Sequence, residues 1–342
     1  MANTSIKSVI KVVLSLGFGL FLIYLFYRKL TPGDIADMKN AVKSANYWWL
    51  IASVSMTLFS QAIRAKRWQA LIKATGNSIP FLTAFNAISV NYLVNIGIPR
   101  AGEVARCGVI ASHNSIPINK SIGTVVNERI IDMLMLLLVG VLTFIFQYPI
   151  FMEFYAQHLA STFDPIVFWL VDNPILSISA LTLVSIMGIF VLRRLLLSSS
   201  HTESRIGKLI HGFKDGILSI FKLDQPLLFI GQTIAIWVFY FAMVSFAFKT
   251  LPVGVELGLG AALSLLFFGT FGFLATPGGI GAYPLITGYL LSLYGAAVHL
   301  GTTLGWVLWI GQTILIIIMG LLAFGLLSRQ KNISTKILSS ES

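Results

Sequence analysis

The chain has 342 residues, of which 56% are hydrophobic and 11% charged, with a mean hydropathy of +0.84. Soluble domains carry about a quarter charged residues, so the composition excludes a water-soluble globule and indicates a polytopic membrane protein. The formal charge of +11 falls in short clusters beside apolar segments, as loop charges of membrane proteins do. No basic face with interleaved aromatics accompanies it, which excludes nucleic-acid binding. Cys107 is the only cysteine, so an internal disulfide and a thiolate metal cluster are excluded; it reads as a small buried apolar residue.

Lys7 and Lys11 precede an apolar run over 12–27, and Arg28 and Lys29 follow it. With no small-residue cleavage site, this is expected to be an uncleaved first helix. Crossing roughly 30 Å of hydrocarbon takes about 20 apolar residues. Segments 8–27, 46–63, 124–148, 175–195, 227–248 and 303–327 meet that requirement. Two further apolar regions, 81–112 and 257–299, are interrupted near their middles by Pro and Gly.

Charge asymmetry orients the segments. Interval 150–173 holds Glu153, Asp164 and Asp172 with no Lys or Arg, whereas 196–226 holds Arg205, Lys208, Lys214 and Lys222. The positive-inside rule places the first outside and the second in the cytoplasm. Arg64, Lys66, Arg67 and Lys73 read as the end of the second span and a cytoplasmic loop, and Arg329, Lys331 and Lys336 as a cytoplasmic C-terminus. Lys7 and Lys11 put the N-terminus on the same side. The loop over 28–45 is mixed in sign.

Counting crossings between these markers requires each interrupted region to cross an even number of times. Each is therefore a re-entrant hairpin or a pair of short crossings, one entered from the cytoplasm and the other from outside. Their turns correspond: Pro99 and Gly102 in the first, Pro277, Gly278, Gly279 and Gly281 in the second. Interrupted apolar segments of opposite orientation are the signature of an inverted repeat. Between the halves, 205–222 alternates apolar and basic residues at helical spacing and reads as an amphipathic helix on the inner leaflet or a connector packed on the bundle.

The stretch 91–106, NYLVNIGIPRAGEVAR, places Asn91, Asn95, Arg100, Glu103 and Arg106 within an apolar region. Glu128 and Asp132 are four residues apart and Arg129 lies between them, so the three share one helical stripe. Charges inside a membrane face the protein interior and mark functional candidates. Arg100 and Arg106 are the expected partners of Glu128 and Asp132, while Glu103 and Arg106 are spaced to pair locally. Arg64 and Arg67, followed by Trp68, read either as an interfacial anchor or as phosphate ligands, since guanidinium groups bind phosphate bidentately. The glycine turn 276–284 offers backbone N–H groups, an anion site without a charged side chain. His113, His158, His201, His211 and His299 show no metal-ligand spacing, and no P-loop or nucleophile motif is present, so neither metal nor cofactor is expected.

Four motifs, Arg64-x-x-Arg67-Trp68, Asn95-x-x-x-Pro99-Arg-x-Gly102-Glu103-x-x-Arg106, Glu128-Arg129-x-x-Asp132 and Thr276-Pro-Gly-Gly-x-Gly281, together resemble one family. It is the lysylphosphatidylglycerol synthase transmembrane region, or flippase-like, family, and the resemblance covers nearly the whole chain. It implies a single integral membrane flippase-like domain over 1–342 without the soluble synthase domain of bifunctional members. Ala282 and Tyr283 stand where this family often carries an acidic residue after the turn.

The expected architecture is an all-α polytopic membrane protein of about six full transmembrane helices and two opposed re-entrant hairpins. The expected function is a flippase moving an anionic phospholipid or polyprenyl-linked lipid across the cytoplasmic (inner) membrane. Arg64, Arg67, Arg100 and Arg106 would hold the headgroup phosphate. Asn91, Asn95, Glu103, Glu128, Arg129 and Asp132 would form an intramembrane polar network. Membrane lipids are the expected partners, and self-association stays open. The alternatives are a membrane glycosyltransferase, or an accessory to one, acting on lipid-linked sugars with an acidic residue from Glu153, Asp164, Asp172 or Glu256, and an envelope-assembly scaffold.

Overall fold

The computed structural model describes residues 17–158 and 222–340 together with the single positions 164 and 179. Expectations for 8–16, for 205–221 and for all of 175–195 but position 179 lie outside the described residues. The described chain is helical, with α1 over Gly17–Tyr27, α2 Pro32–Lys43, α3 Tyr47–Lys73, α4 Phe81–Gly97, α5 Ala101–Asn114, α6 Ile118–Phe146 and α7 Tyr148–His158. It continues with α8 Pro226–Ala247, α9 Leu259–Ala275, a 3-10 turn Pro277–Gly279, α10 Ala282–Ser292 and α11 Val298–Ser340.

The helix starts follow local chemistry. Pro32 opens α2 and Pro226 opens α8, where a missing N–H costs nothing. Thr31 and Asp34 form a reciprocal capping box on α2, satisfying two otherwise orphaned N–H groups. The segment read as a mixed-charge loop over 28–45 therefore contains a capped helix.

Three described helices are long and apolar enough to cross a bilayer: Ile118–Phe146, Pro226–Ala247 and Val298–Arg329. They cover the expected segments 124–148 and 227–248 to within two residues at their ends and contain 303–327. Leu134, Leu137, Leu138, Val141 and Ile145 are exposed along one side of α6, as are Ile230, Ile234 and Val238 on α8. In a membrane protein these outward apolar faces meet lipid rather than water. One expectation is overturned. Residues 64–73 are not a loop after the second span: α3 runs unbroken from Tyr47 to Lys73 and buries Arg64 and Arg67. The reason, set out below, is that carboxylates from another helix neutralise these charges.

Helices α4 and α5 pack together, as do α9 and α10. Lys73 meets Asp224 at 2.8 Å at one end of the bundle, and the Asn46 backbone N–H bonds the Thr250 carbonyl at 2.9 Å at the other. Both turns are built as their prolines require. Ile98 and Thr276, each preceding a proline, are extended, because the proline ring excludes helical backbone there. Gly278, Gly279 and Gly281 then take φ of 60°, 78° and 74°, a region that costs L-residues roughly 1–2 kcal/mol each.

The two turns meet inside the bundle, with Gly278 packed on the Ile96 backbone. Trp309 Nε1 of α11 donates to the Gly278 carbonyl at 2.6 Å, and Gly281 packs against the Gly19 carbonyl of α1. The core divides accordingly. A large apolar cluster joins Ile236, Ala262, Leu265, Leu291 and Leu304. A second joins Ala65, Trp68, Ile72, Ala87, Ile88 and Ile110 beneath the Lys73 end.

Candidate functional site

Helices α3, α5, α6 and α8 bring one charged cluster together. Arg64 lies about nine residues before the end of α3, and Arg106 about eight before the end of α5. Glu128 lies about ten residues after the start of α6, and Thr233 about seven after the start of α8. At 1.5 Å per residue these positions are all about 10–15 Å inside the Lys73 end. The register of four helices thus converges on one level.

At that level Arg64 Nη1 donates to both Glu128 Oε1 and Asp132 Oδ2, the latter at 2.8 Å. Its Nη2 donates to the Tyr240 hydroxyl at 3.0 Å, and Tyr240 is hydrogen-bonded in turn to Tyr92. Arg67 Nη2 donates to Asp132 Oδ1 at 2.8 Å and its Nη1 to Thr233 Oγ1 at 3.1 Å. Arg106 Nη1 donates to Glu128 Oε2 at 3.0 Å. Arg129 reaches Glu128 at 3.4 Å and Asp132 at 3.9 Å from a half-exposed position. The Arg106 guanidinium stacks on the Trp68 ring at 4.8 Å, and Trp68 is fixed by donating to Thr124 at 3.1 Å.

Arg67, Arg106 and Glu128 are each 0% exposed and Arg64 is 4% exposed. Buried charge is tolerated only when paired and hydrogen-bonded, and this pairing is incomplete. Four guanidinium groups face two carboxylates. Arg64 Nε, Arg67 Nε and both Nε and Nη2 of Arg106 are buried with no hydrogen-bond partner among the described residues. The cluster is a cationic centre holding unused donors.

The structure brings together Arg64, Arg67, Arg106, Glu128, Arg129 and Asp132 but separates Arg100 from them. Arg100 is exposed on the α4–α5 turn at φ 67°. Pro99 and the break at Ile98 turn the chain there, so Arg100 sits at the tip while Arg106 lies a turn and a half inside α5. Among the described residues Glu103 does not pair with Arg106, and its buried Oε2 has no partner. Asn95 Oδ1 accepts from the Gly102 N–H at 2.8 Å, which closes the turn. Asn91 is buried with its Oδ1 unpartnered, and its carbonyl lies against Gly102 at a distance only glycine permits.

Thr233, Trp237 and Tyr240 escaped the sequence reading. Their spacing on α8 puts polar groups at i, i+4 and i+7 of an otherwise apolar span, the one-face pattern of a helix aimed at a polar partner. Of the acidic residues expected outside, Glu153 accepts from Gln157 at 3.2 Å and Asp164 from Tyr155 at 2.6 Å. Glu256 is exposed, and Asp172 lies outside the described residues.

The family model described as the lysylphosphatidylglycerol synthase TM region matches residues 8–320. The chain belongs to that family. The match covers every helix of the charged cluster and both proline-glycine turns, so the cluster lies within the region matched to the lysylphosphatidylglycerol synthase TM region. The chain matches no curated protein and no solved structure.

Proposed function

We propose that the protein moves a lipid with an anionic headgroup across the cytoplasmic membrane, and that Arg64, Arg67 and Arg106 bind the headgroup phosphate. The observation that carries this reading is the cationic surplus: three buried arginines and a half-exposed fourth against two carboxylates, with Arg106 Nε and Nη2 unused. A guanidinium fork is matched in shape to a phosphate and binds it bidentately. In this reading Glu128 and Asp132 hold the arginines in place when the anion has left. The Lys73 end faces the cytoplasm by its basic loops. The pairs α4/α5 and α9/α10 are opposed re-entrant hairpins of an inverted repeat, meeting at Ile96 and Gly278. The phosphate carrier is an anionic phospholipid or a polyprenyl-linked lipid.

The test is reconstitution into vesicles carrying fluorescent phosphatidylglycerol or phosphatidylcholine, with outer-leaflet dye bleached to follow transbilayer movement. The anionic probe is expected to cross at least several-fold faster, and Arg106→Gln is expected to remove the preference. Equal rates for both probes, or an unchanged preference in a folded Arg106→Gln protein, would show the reading to be wrong.

A further inference from the structure

We infer that Arg100 is a second anion station, standing in a water-filled vestibule where the two turns meet, separate from the buried cluster. The inference rests on the lipid-transport reading and adds a place through which the phosphate passes.

Arg100 lies about 14 residues before the end of α5 at Asn114, so it is about 21 Å inside the Lys73 end. A helix of 29 residues such as α6 is about 43 Å long and overhangs a hydrocarbon core roughly 30 Å thick at both ends, so Arg100 lies near the middle of that core. It is exposed, and it forms none of the ion pairs found among the described residues. A guanidinium facing hydrocarbon at that depth is costly, and the few intramembrane charges that proteins keep face partners or water-filled cavities. Protein carboxylates supply that compensation for Arg64, Arg67 and Arg106; none of the ion pairs found supplies it for Arg100. Water must therefore reach it, and the meeting point of the turns is where water is needed.

The geometry of α5 then defines two stations rather than a continuous groove. Arg100 and Arg106 are six residues apart, about 9 Å along the helix axis. Glu103 stands between them with an unpartnered buried oxygen, and its charge repels an anion that lingers midway. A phosphate leaving Arg106 passes that barrier and is received by Arg100 at the level of Gly278, whose turn belongs to the helix pair entered from the far end. The headgroup thus changes from contact with the near-end pair to the junction of both pairs in one short step.

The test uses the full chain in a Cys107→Ser background with Arg100→Cys, labelled with a membrane-impermeant cationic thiosulfonate. The introduced cysteine is expected to react, whereas the buried Cys107 of the unmodified chain does not. In the vesicle assay, Arg100→Gln is expected to slow the anionic probe at least tenfold while retaining co-purified anionic lipid at the level of the unmodified protein. Arg100→Lys is expected to restore most of the rate, and Arg106→Gln to lose both lipid and transport. Absence of labelling, or an Arg100→Gln protein that transports at the unmodified rate, overturns the second station and leaves the transport function standing. An unmodified protein that moves neither probe selectively overturns the function and this inference together.

Discussion

Glu128→Gln tests whether the buried cluster really holds an excess of positive charge. Glu128 is fully buried and touches four guanidinium groups, bonding Arg64 and Arg106 directly and lying 3.7 Å from Arg67 and 3.4 Å from Arg129. Glutamine preserves the shape and removes the only anion paired with Arg106 among the described residues. Breaking a buried ion pair from one side costs roughly 3–5 kcal/mol, because the abandoned charge stays buried. At roughly 2–4 °C per kcal/mol for a chain of a few hundred residues, the melting midpoint is expected to fall by about 10 °C. Arg106→Gln removes a charge-assisted bond worth roughly 1.5–3 kcal/mol and a ring contact, yet it also relieves repulsion from Arg64 and Arg67. It is expected to destabilise less than Glu128→Gln, and adding Arg106→Gln to Glu128→Gln is expected to recover part of the loss. The assay is thermal unfolding of purified detergent-solubilised protein, followed by the monodisperse fraction surviving each temperature. If Arg106→Gln costs as much as Glu128→Gln and the two losses simply add, the cations are not in surplus and the phosphate reading loses its foundation.

Three other outcomes follow from the packing. Gly102→Ala drives a methyl group into the Asn91 carbonyl and is expected to cost roughly 1–3 kcal/mol, read as a lower melting midpoint; a neutral result would mean that α4 and α5 do not cross there. Trp309→Phe keeps an aromatic ring and deletes the donor to Gly278, so amides 278–281 are expected to exchange faster by about the worth of one net hydrogen bond, roughly 0.5–1.5 kcal/mol. At α2, hydrogen bonds from the Thr31 backbone and hydroxyl hold the Asp34 carboxyl below its ordinary range. A lowered folded-state value means that the stabilising contribution is present above pH about 4 and lost as pH falls through the depressed value. Exchange protection of α2 is thus expected to hold down to pH about 4 and then decline, and Asp34→Asn to remove that pH dependence.

The turns at Pro99 and at Pro277 to Gly281 were legible because proline and glycine act locally: they forbid or permit backbone angles whatever surrounds them. The charged cluster was legible in part. Glu128 and Asp132 are one helical turn apart, so their shared face follows from spacing alone. Arg64 and Arg67 were harder, because a dense run of positive charge ordinarily marks the edge of a membrane. Only partners about 64 residues away allow α3 to carry those charges inward, and nothing near Arg64 announces them. Arg100 and Arg106 belong to one polar stretch and carry identical side chains. What separates them is the backbone break before Ala101, which leaves one at a tip and the other packed against Trp68. Tyr240 and Thr233 were missed for the opposite reason, since single polar residues in a hydrophobic span are common and only their shared face gives them away.

The pairing of α3 with α6 also has a history in time. Arg64 leaves the ribosome 64 residues ahead of Glu128, which at 5–20 residues per second is a delay of about 3–13 s. Throughout that interval α3 carries two arginines with no anion to receive them. Until α6 arrives, Arg64 and Arg67 lack the carboxylates that pair with them in the folded chain, and a helix at the water interface would keep them solvated. The second hairpin closes later still, and Gly19 waits for Gly281 until most of the chain has been made. A protein whose earliest helices are packed by its latest ones cannot complete its core until most of the chain has been made.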